Sequence, residues 1–421
     1  MHRLYRACLI ILLVFALLPA SGQAGGHTKE AVRAAYSSIL QKTDGETYVN
    51  LPLTENPYGA GALSEETTAA ALDQANFIRW LAGLEEIQTD EGLNDLAQHG
   101  AVLMAANKSL SHAPQQPADM DDAFYEKGYA AAASCNLIMF NWNEEGLLSE
   151  AVRQFARDDG EHNRTVLGHR RWMLYPGMLY TGFGLAQDED GRSYAAMYVM
   201  DSSRTDAEYD LIKWPSEGAF PAEYLSVETP WSISPNPDVY DLAASTPRIE
   251  MREQTTGTEY ALDIMEEISG DEYFIPGGGR YGDGPVYIFH PDLNRHENLM
   301  YGYQQNQVWT VTLSGMVYAD GQAAEPIEYT VEMISLTPIA PAAVEISPRE
   351  ASVCVGEEIL LGAQVIPDWA DDLSVTWRSE NEAVATVGED GTVRGVSAGT
   401  CTIVAETVNG RDDRIEITVT E

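Results

Sequence analysis

Residues 168–174 read Gly-His-Arg-Arg-Trp-Met-Leu and residues 182–184 read Gly-Phe-Gly, and these two stretches decide the fold of the first half of the chain. Gly182 follows His169 by 13 residues (182 − 169). Segment 180–186 has the composition of a short strand, which carries both glycines. The pattern therefore predicts a histidine placed shortly ahead of a β-strand.

Upstream of these stretches, apolar residues recur at the spacing of helices. The helix at 93–107 runs on into Ser-Leu-Ser-His at 109–112. Helices that alternate with short strands indicate an α+β domain. The predicted helices are 67–84, 93–107 and 150–157, and the further strands are 135–142 and 194–200.

Residues 96–112 and 168–184 together resemble two motifs of the CAP superfamily, which includes cysteine-rich secretory proteins, venom antigens and plant pathogenesis-related proteins. The resemblance covers 67–200 and implies an α-β-α sandwich in which two histidines, here His112 and His169, face one cleft. It also implies that this pair binds a small ligand or a divalent metal, with Zn²⁺ expected because neutral imidazole suits it. Two protein ligands alone hold a metal weakly.

The chain departs from the family where the first of two cleft glutamates belongs. The family has Gly-Glu-Asn there, and this chain has Ser134, Cys135 and Asn136, so only the asparagine matches. Cys135 is then either a thiolate that serves as a third, soft metal ligand, or a small buried residue without chemistry. Through the resemblance, Cys135 and Asn136 join the histidines as candidate ligand-binding residues.

The second glutamate has no clear counterpart, and Asp158, Asp159 and Glu161 are the candidate catalytic acids that could replace it. The sequence contains no Gly-x-Ser-x-Gly elbow and no His-Glu-x-x-His pair. The histidines without the glutamates favour a non-catalytic binding domain. The alternative is a zinc-dependent hydrolase that acts on peptide or cell-wall material, with one of these acids as general base.

Two β-rich regions follow the helical one. From 214 to 336, prolines and glycines separate strand-like segments, which is typical of a β-sandwich. From 343 to 421, seven short strands are predicted, and residues 374–379 (Ser-Val-Thr-Trp-Arg-Ser), 384–387 and 391–393 resemble the bacterial Ig-like group 2 pattern. In that family the module is a spacer or adhesive unit of surface proteins, so an adhesin or structural surface protein is a further alternative.

The first 24 residues have the pattern of an export signal. Two arginines precede an apolar run at 7–18, and small residues follow it. The run is shorter than the roughly 20 residues of a membrane-spanning helix, so a cleaved signal peptide is predicted. No later segment of the sequence is apolar enough to span a membrane. The protein is thus expected to be secreted, and to be extracellular or associated with the cell surface.

The formal net charge of −40 comes from 65 acidic and 25 basic residues. Such a field repels phosphate backbones and anionic lipid headgroups, so nucleic acid is excluded as a partner. The expected partners are a small ligand and a cell-wall or surface component. The acidic residues are scattered along the chain, as on a solvated surface.

Removal of the signal would leave Cys135, Cys354 and Cys401. The last two fall in the same C-terminal region and are predicted to form a disulfide, with Cys135 as the odd thiol. A loop of that size would stabilise the fold by roughly 4 kcal/mol.

The predicted organisation has four parts. They are a signal peptide at 1–24, a CAP-like domain at 28–204 with its core at 67–200, a β-rich module at 205–338 and an Ig-like domain at 343–421. The predicted fold class is α+β, with an α-β-α sandwich followed by two all-β sandwich-like modules.

Overall fold

The computed structural model describes residues 26–40, 45–142, 144–265, 268, 270–277, 281–282 and 284–421. The predicted export signal lies outside these residues. The chain divides into two compact units. One comprises the described residues up to Phe220 with Tyr224–Tyr303 and Val308–Glu332, and the other comprises Met333–Glu421 with Pro221–Glu223 and Gln304–Gln307. The helical domain and the β-rich module therefore belong to one compact unit, while the predicted domain boundaries stay predictions.

Three helices begin at side-chain caps. Ser64, Asp90 and Asp121 each accept a hydrogen bond from the backbone N–H three residues further on, which satisfies a donor left free by the first helical turn. The second, third and fifth helices of the following list correspond to the predicted ones, and the other three are additional. The helices are α1 Lys29–Leu40, α2 Glu65–Leu81, α3 Glu91–Asn107, α4 Asp122–Ser134, α5 Leu147–Arg157 and α6 Gly168–Met173.

A three-stranded antiparallel sheet lies at the centre of the helical domain, with the strands in the order β4 (Cys135–Phe140), β7 (Ser193–Tyr198) and β6 (Phe183–Gln187). α3 and α4 pack on it through a core made largely of alanines, such as Ala97, Ala131 and Ala196. Helices combined with a buried sheet confirm the predicted α+β class. The strands are β1 Tyr48–Asn50, β2 Ala62–Leu63, β3 Gln88–Thr89, β4 Cys135–Phe140, β5 Tyr180–Thr181, β6 Phe183–Gln187 and β7 Ser193–Tyr198.

The glycines of the Gly-Phe-Gly stretch allow the β6 segment to lie directly on α3. A Cβ atom at Gly184 would lie 2.3 Å from the carbonyl oxygen of Ala97, and one at Gly182 would lie 2.2 Å from the carbonyl carbon of Leu93. Both neighbours are backbone atoms of α3. Only glycine is compatible with this approach.

The β-rich module consists of two sheets with the strand orders β13-β14-β10-β8 and β12-β11-β15-β16-β9. Trp231 of the first sheet and Trp309 of the second pack with their ring centroids 5.7 Å apart, so the sheets face each other as a sandwich. The strands are β8 Leu211–Trp214, β9 Gly218–Pro221, β10 Trp231–Pro235, β11 Arg248–Glu253, β12 Thr258–Asp263, β13 Tyr273–Pro276, β14 Tyr287–His290, β15 Val308–Ser314 and β16 Ile327–Ile334.

The Ig-like domain contains nine strands in its described residues, where seven were predicted. The segment predicted as one strand at 359–365 is split at Leu361, which turns inward and donates its backbone N–H to Gly391. Ala351–Cys354 is an additional strand. The strands are β17 Ala343–Ser347, β18 Ala351–Cys354, β19 Glu358–Leu360, β20 Gly362–Ile366, β21 Val375–Ser379, β22 Ala385–Val387, β23 Thr392–Gly395, β24 Gly399–Thr407 and β25 Asp412–Thr420.

The predicted disulfide between Cys354 and Cys401 is wrong, because both thiols are free. Cys354 lies on β18 and Cys401 on β24, and β25 runs between these strands. Two strand spacings amount to roughly 10 Å, whereas the Cα atoms of a disulfide are no more than about 7 Å apart. The register separates the residues further, since they lie opposite Thr420 and Ile417 of β25, respectively.

We expect the three thiols to be alkylated in an order that follows their burial. Cys354 is half-buried, whereas Cys135 and Cys401 are buried, and burial also raises the pKa of the Cys135 thiol. Iodoacetamide should therefore modify Cys354 at least about tenfold faster than Cys135, as measured by peptide mass spectrometry over time. A reducing agent should leave the unfolding midpoint of the Ig-like domain unchanged. A midpoint that falls on reduction would instead show that Cys354 and Cys401 are joined by a disulfide.

Candidate functional site

His169 is oriented by the buried side chain of Asp158, the residue that follows α5. One carboxylate oxygen accepts hydrogen bonds from the backbone N–H groups of His169, at 3.0 Å, and of Arg170, at 3.2 Å, near the start of α6. The other oxygen lies 3.0 Å from Nδ1 of His169. Nδ2 of Asn163 also lies 3.2 Å from Nδ1. Because an ionised carboxylate only accepts, we assign the proton to Nδ1, which leaves Nε2 as the ring atom that can accept from a ligand or bind a metal.

The short helix α6 is also held at its far end. Nη1 of the buried Arg79 donates to the carbonyls of Met173, at 2.8 Å, and of Tyr175, at 2.9 Å. The Met173 carbonyl is one that the helix end leaves without an intrahelical partner, and Tyr175 lies just beyond that end. Because Asp158 binds the first turn and Arg79 the last, the backbone that carries His169 is fixed at both ends.

His112 is exposed and follows the end of α3. Its Nδ1 lies 2.7 Å from the carbonyl oxygen of Ala132, in the last turn of α4. A carbonyl only accepts, so Nδ1 is again the protonated nitrogen and Nε2 the one left for a ligand. Histidines that bind metals through Nε2 commonly donate from Nδ1 to a carbonyl or a carboxylate in this way.

Both histidines are anchored at the junction of α4 and β4. His112 bonds to Ala132, while the side-chain amide of Asn136 donates to the backbone carbonyl of His169 at 2.9 Å. The two anchors are four residues apart in sequence (136 − 132), with Cys135 between them. Asn136 therefore acts on the backbone of α6. That the two imidazoles face a common cleft stays a prediction.

Cys135 has the environment of a core residue. Its exposed fraction is 3 %, and it packs in the alanine-rich cluster between α3, α4 and the sheet. Burial raises the pKa of its thiol, and it is the thiolate that acts as a metal ligand or nucleophile. The environment supports the interpretation of Cys135 as a small buried residue over that of a third metal ligand.

The two other candidate acids have different surroundings from Asp158. Asp159 accepts hydrogen bonds from Arg157 and from the Oγ of Ser226, both at 2.7 Å. Glu161 is exposed in the turn between α5 and α6. Asp158 is thus the predicted acid that the structure brings to His169, where it orients the imidazole.

A three-ligand zinc site does not fit the residues of this region. Among the described residues, no group of three or more histidine, cysteine, aspartate or glutamate side chains could hold a metal ion. His112 and His169 offer two imidazole nitrogens, while zinc sites in proteins use three or four protein ligands. Two depressions of about 570 and 870 Å³ lie elsewhere, in the β-rich module, and neither histidine lines them.

Sequence reasoning missed the part played by Arg170 and Arg171. Both side chains are buried, with exposed fractions of 1 % and 2 %. Arg170 donates to the carbonyls of Ala156, at 2.6 Å, and of Pro230, at 2.8 Å. Arg171 lies 4.8 Å from the ring centre of Tyr281. The one signal in the sequence was the pair of adjacent arginines in a short, largely apolar segment. Such a pair does not reveal contacts with residues 60 or more positions away.

A helical domain built on a buried antiparallel sheet, with one histidine after α3 and another at the start of α6, defines a CAP-type domain. Residues 72–201 match the family described as the cysteine-rich secretory protein family, CAP, and residues 341–417 match the bacterial Ig-like domain, group 2. The chain thus carries a CAP domain and a bacterial Ig-like domain, and both predicted resemblances are confirmed.

Relatives of known activity match parts of the chain. A 3-O-alpha-D-galactosyl-alpha-L-arabinofuranosidase of Bifidobacterium longum subsp. longum is 49% identical over 74 residues, which are 17% of this chain and 6% of that protein. An A type blood N-acetyl-alpha-D-galactosamine deacetylase of Flavonifractor plautii is 26% identical over 211 residues, 44% of this chain and 26% of that protein. The chain therefore spans only a small fraction of the length of each relative.

Among solved structures, the CAP domain of Enterococcal PrgA is 15% identical, with 41% of this chain and 74% of that chain covered and a TM-score of 0.24. CAP and Ig-like domains in one chain define an extracellular type of bacterial surface protein. No helix in the described part of the chain combines the length and apolar character needed to cross a membrane.

Proposed function

We propose that this is a secreted, non-catalytic surface protein whose CAP domain binds a small ligand, or weakly a divalent metal, through His112 and His169. The observation that carries the proposal is the shared state of the two imidazoles. Each has Nδ1 bound to an acceptor of the protein, Ala132 or Asp158, so Nε2 is in each the nitrogen left for a ligand. The β-rich module and the Ig-like domain would display the CAP domain near a cell-wall or surface component.

The surroundings of the histidines support binding over hydrolysis. Asp158 is bonded to the imidazole and the backbone of His169, and Asp159 is bonded to Arg157 and Ser226, so neither carboxylate is placed as a base beside a metal-bound water. The protonated thiol of Cys135 adds no nucleophile. What remains is a pair of oriented imidazole nitrogens, Nε2 of His112 and Nε2 of His169, that can accept from a ligand or bind a metal.

Calorimetric titration of the chain without residues 1–24 with Zn²⁺ tests the donor pair. We expect one weak site, and at least a tenfold loss of affinity, or about 1.4 kcal/mol, in His112→Ala and in His169→Ala. Cys135→Ser should bind as the unaltered protein does, because the thiol is buried in the alanine-rich cluster.

His296→Ala is the matched control, since His296 is a half-buried histidine of the β-rich module whose Nδ1, like those of the site histidines, is bonded within the protein. The titration of this variant measures how much zinc the acidic protein binds nonspecifically. Binding that responds equally to His112→Ala and His296→Ala would contradict the proposed site. Lost binding in Cys135→Ser would place the thiol in it.

A hydrolase is the second candidate, because the Asp158–His169 pair has the geometry of an oriented general base. A carboxylate on Nδ1 leaves Nε2 to take a proton from water or from a hydroxyl. The named relatives act on glycans, and peptide or cell-wall material is the other substrate class expected for such a domain. The test is the release of sugars or peptides from purified cell wall. Release by the unaltered protein that is lost in His169→Ala would establish hydrolysis and contradict the non-catalytic function. Unchanged surface attachment after loss of both histidines would instead favour the adhesin alternative.

A further inference from the structure

Segment 226–230 of the β-rich module, here called the bridging segment, contacts the CAP domain beside the histidine site. Ser226 donates from Oγ to a carboxylate oxygen of Asp159 at 2.7 Å. The carbonyl of Pro230 accepts from Nη1 of Arg170 at 2.8 Å. Asp159 follows Asp158 directly and Arg170 follows His169 directly, so each contact lies one residue from a member of the oriented pair.

The bridging segment is itself held in place. The backbone N–H of Ser226 donates to Oγ1 of the buried Thr229 at 2.7 Å, which closes the segment into a turn. The carbonyl of Val227 lies 3.0 Å from Nε2 of His290, a buried residue of β14. The segment therefore has a fixed position within the sandwich before it meets the CAP domain.

Arg170 connects this segment to the end of α5. Its guanidinium donates to the carbonyls of Ala156 and Arg157 as well as to Pro230, and it lies in an environment closed to solvent. Leu167, just ahead of α6, packs in a hydrophobic cluster with Tyr273, Ile288 and other residues of the sandwich. Both sides of His169 in sequence are thus attached to the β-rich module.

We propose that the bridging segment positions the Asp158–His169 pair, with Ser226 and Arg170 as positioning residues, so that the histidine site is built by two modules together. The CAP domain supplies the imidazole and its carboxylate. The β-rich module supplies the contacts that keep the end of α5 and the start of α6 at hydrogen-bonding distance. Only the role of this site in ligand binding rests on the proposed function. The contacts that position Asp158 and His169 exist in the chain without a ligand.

The test measures the Nδ1 proton of His169 by NMR in the full chain labelled with ¹⁵N-histidine, without any ligand. A proton held by Asp158 exchanges slowly with water. In Ser226→Ala we expect exchange to be roughly fivefold faster or more, the factor that corresponds to one ordinary hydrogen bond. Ser226→Thr retains the hydroxyl and should restore the slow exchange. Arg170→Lys should also accelerate exchange, because lysine lacks the fork that reaches both carbonyls.

Ser203→Ala is the matched control, because it removes a serine hydroxyl that donates to a carboxylate, Asp201, at 2.6 Å on the exposed surface. It should leave the His169 signal unchanged. If Ser226→Ala and Arg170→Lys both fold and leave the exchange unchanged, the proposal is overturned. Absence of zinc binding with the NMR pattern intact would instead count against the proposed function alone.

Discussion

Gly184→Ala is expected to lower the free energy of unfolding of the CAP domain by about 3 kcal/mol or more. The added Cβ would lie 2.3 Å from the carbonyl oxygen of Ala97 and 2.4 Å from its carbonyl carbon. Both are backbone atoms within α3, so they cannot rotate away as the end of a side chain can. The steric overlap can be relieved only if the sheet and the helix separate, and this separation exposes the alanine core between them. Urea unfolding followed by helical circular dichroism measures the loss, because the described helices all lie in the first unit.

Gly160→Ala is the matched control for that measurement. Its nearest heavy atom would be the side-chain nitrogen of Asn163 at 3.9 Å, an ordinary contact distance. The change should therefore alter stability by no more than about 0.5 kcal/mol. Similar losses at both glycines would contradict the assignment of Gly184 to a close approach of two backbones.

Asp158→Ala is expected to destabilise the CAP domain by about 3 kcal/mol, because it leaves two backbone donors of α6 and the Nδ1 proton of His169 without their acceptor. Asp158 also has a φ of 52°, in the left-handed region. Asparagine tolerates that region better than alanine and retains one acceptor oxygen. Asp158→Asn should therefore lose only about half as much, in the same urea experiment.

Asp241→Ala serves as the comparison for Asp158→Ala. The Asp241 carboxylate also accepts from two backbone N–H groups, those of Ala243 at 3.0 Å and Ala244 at 3.1 Å, but it is exposed. Water can replace it there, so the loss should be about 1 kcal/mol or less. An equally small loss for Asp158→Ala would show that its buried position does not add to the value of these hydrogen bonds.

Local sequence signals were sufficient for much of the CAP fold. Helices α2 and α3 have apolar spacing and side-chain caps, and both were predicted to within a few residues of their observed ends. α4 was not predicted, because its buried face consists of small residues. Gly128 approaches Leu103, and Ala131 approaches Gly100, so the fully buried positions of the helix carry no large apolar side chain that would mark them in the sequence.

The sequence predicted which residues belong to the candidate site, but not what surrounds each of them in the fold. His169 and Asp158 were both candidates, but their pairing depends on the left-handed turn at Asp158. For Cys135, burial favours one of two interpretations that the sequence left open. The disulfide failed for a related reason, because residues that are close in the same domain can still lie on strands separated by a third. Arg170 could not be assigned at all, since its acceptors come from two modules.

The parallel pairing of β18 with β25 has a mechanical consequence. These are the first and last strands of the four-stranded sheet in the Ig-like domain, and they lie side by side, with Ala351 opposite Ile417 and Cys354 opposite Thr420. Tension along the chain across this domain would slide the two strands lengthwise past each other. Their hydrogen bonds would then share the load and have to rupture together, whereas an antiparallel pair at the same place would unzip one bond at a time. We therefore expect the β18–β25 pair to resist stretching along the chain.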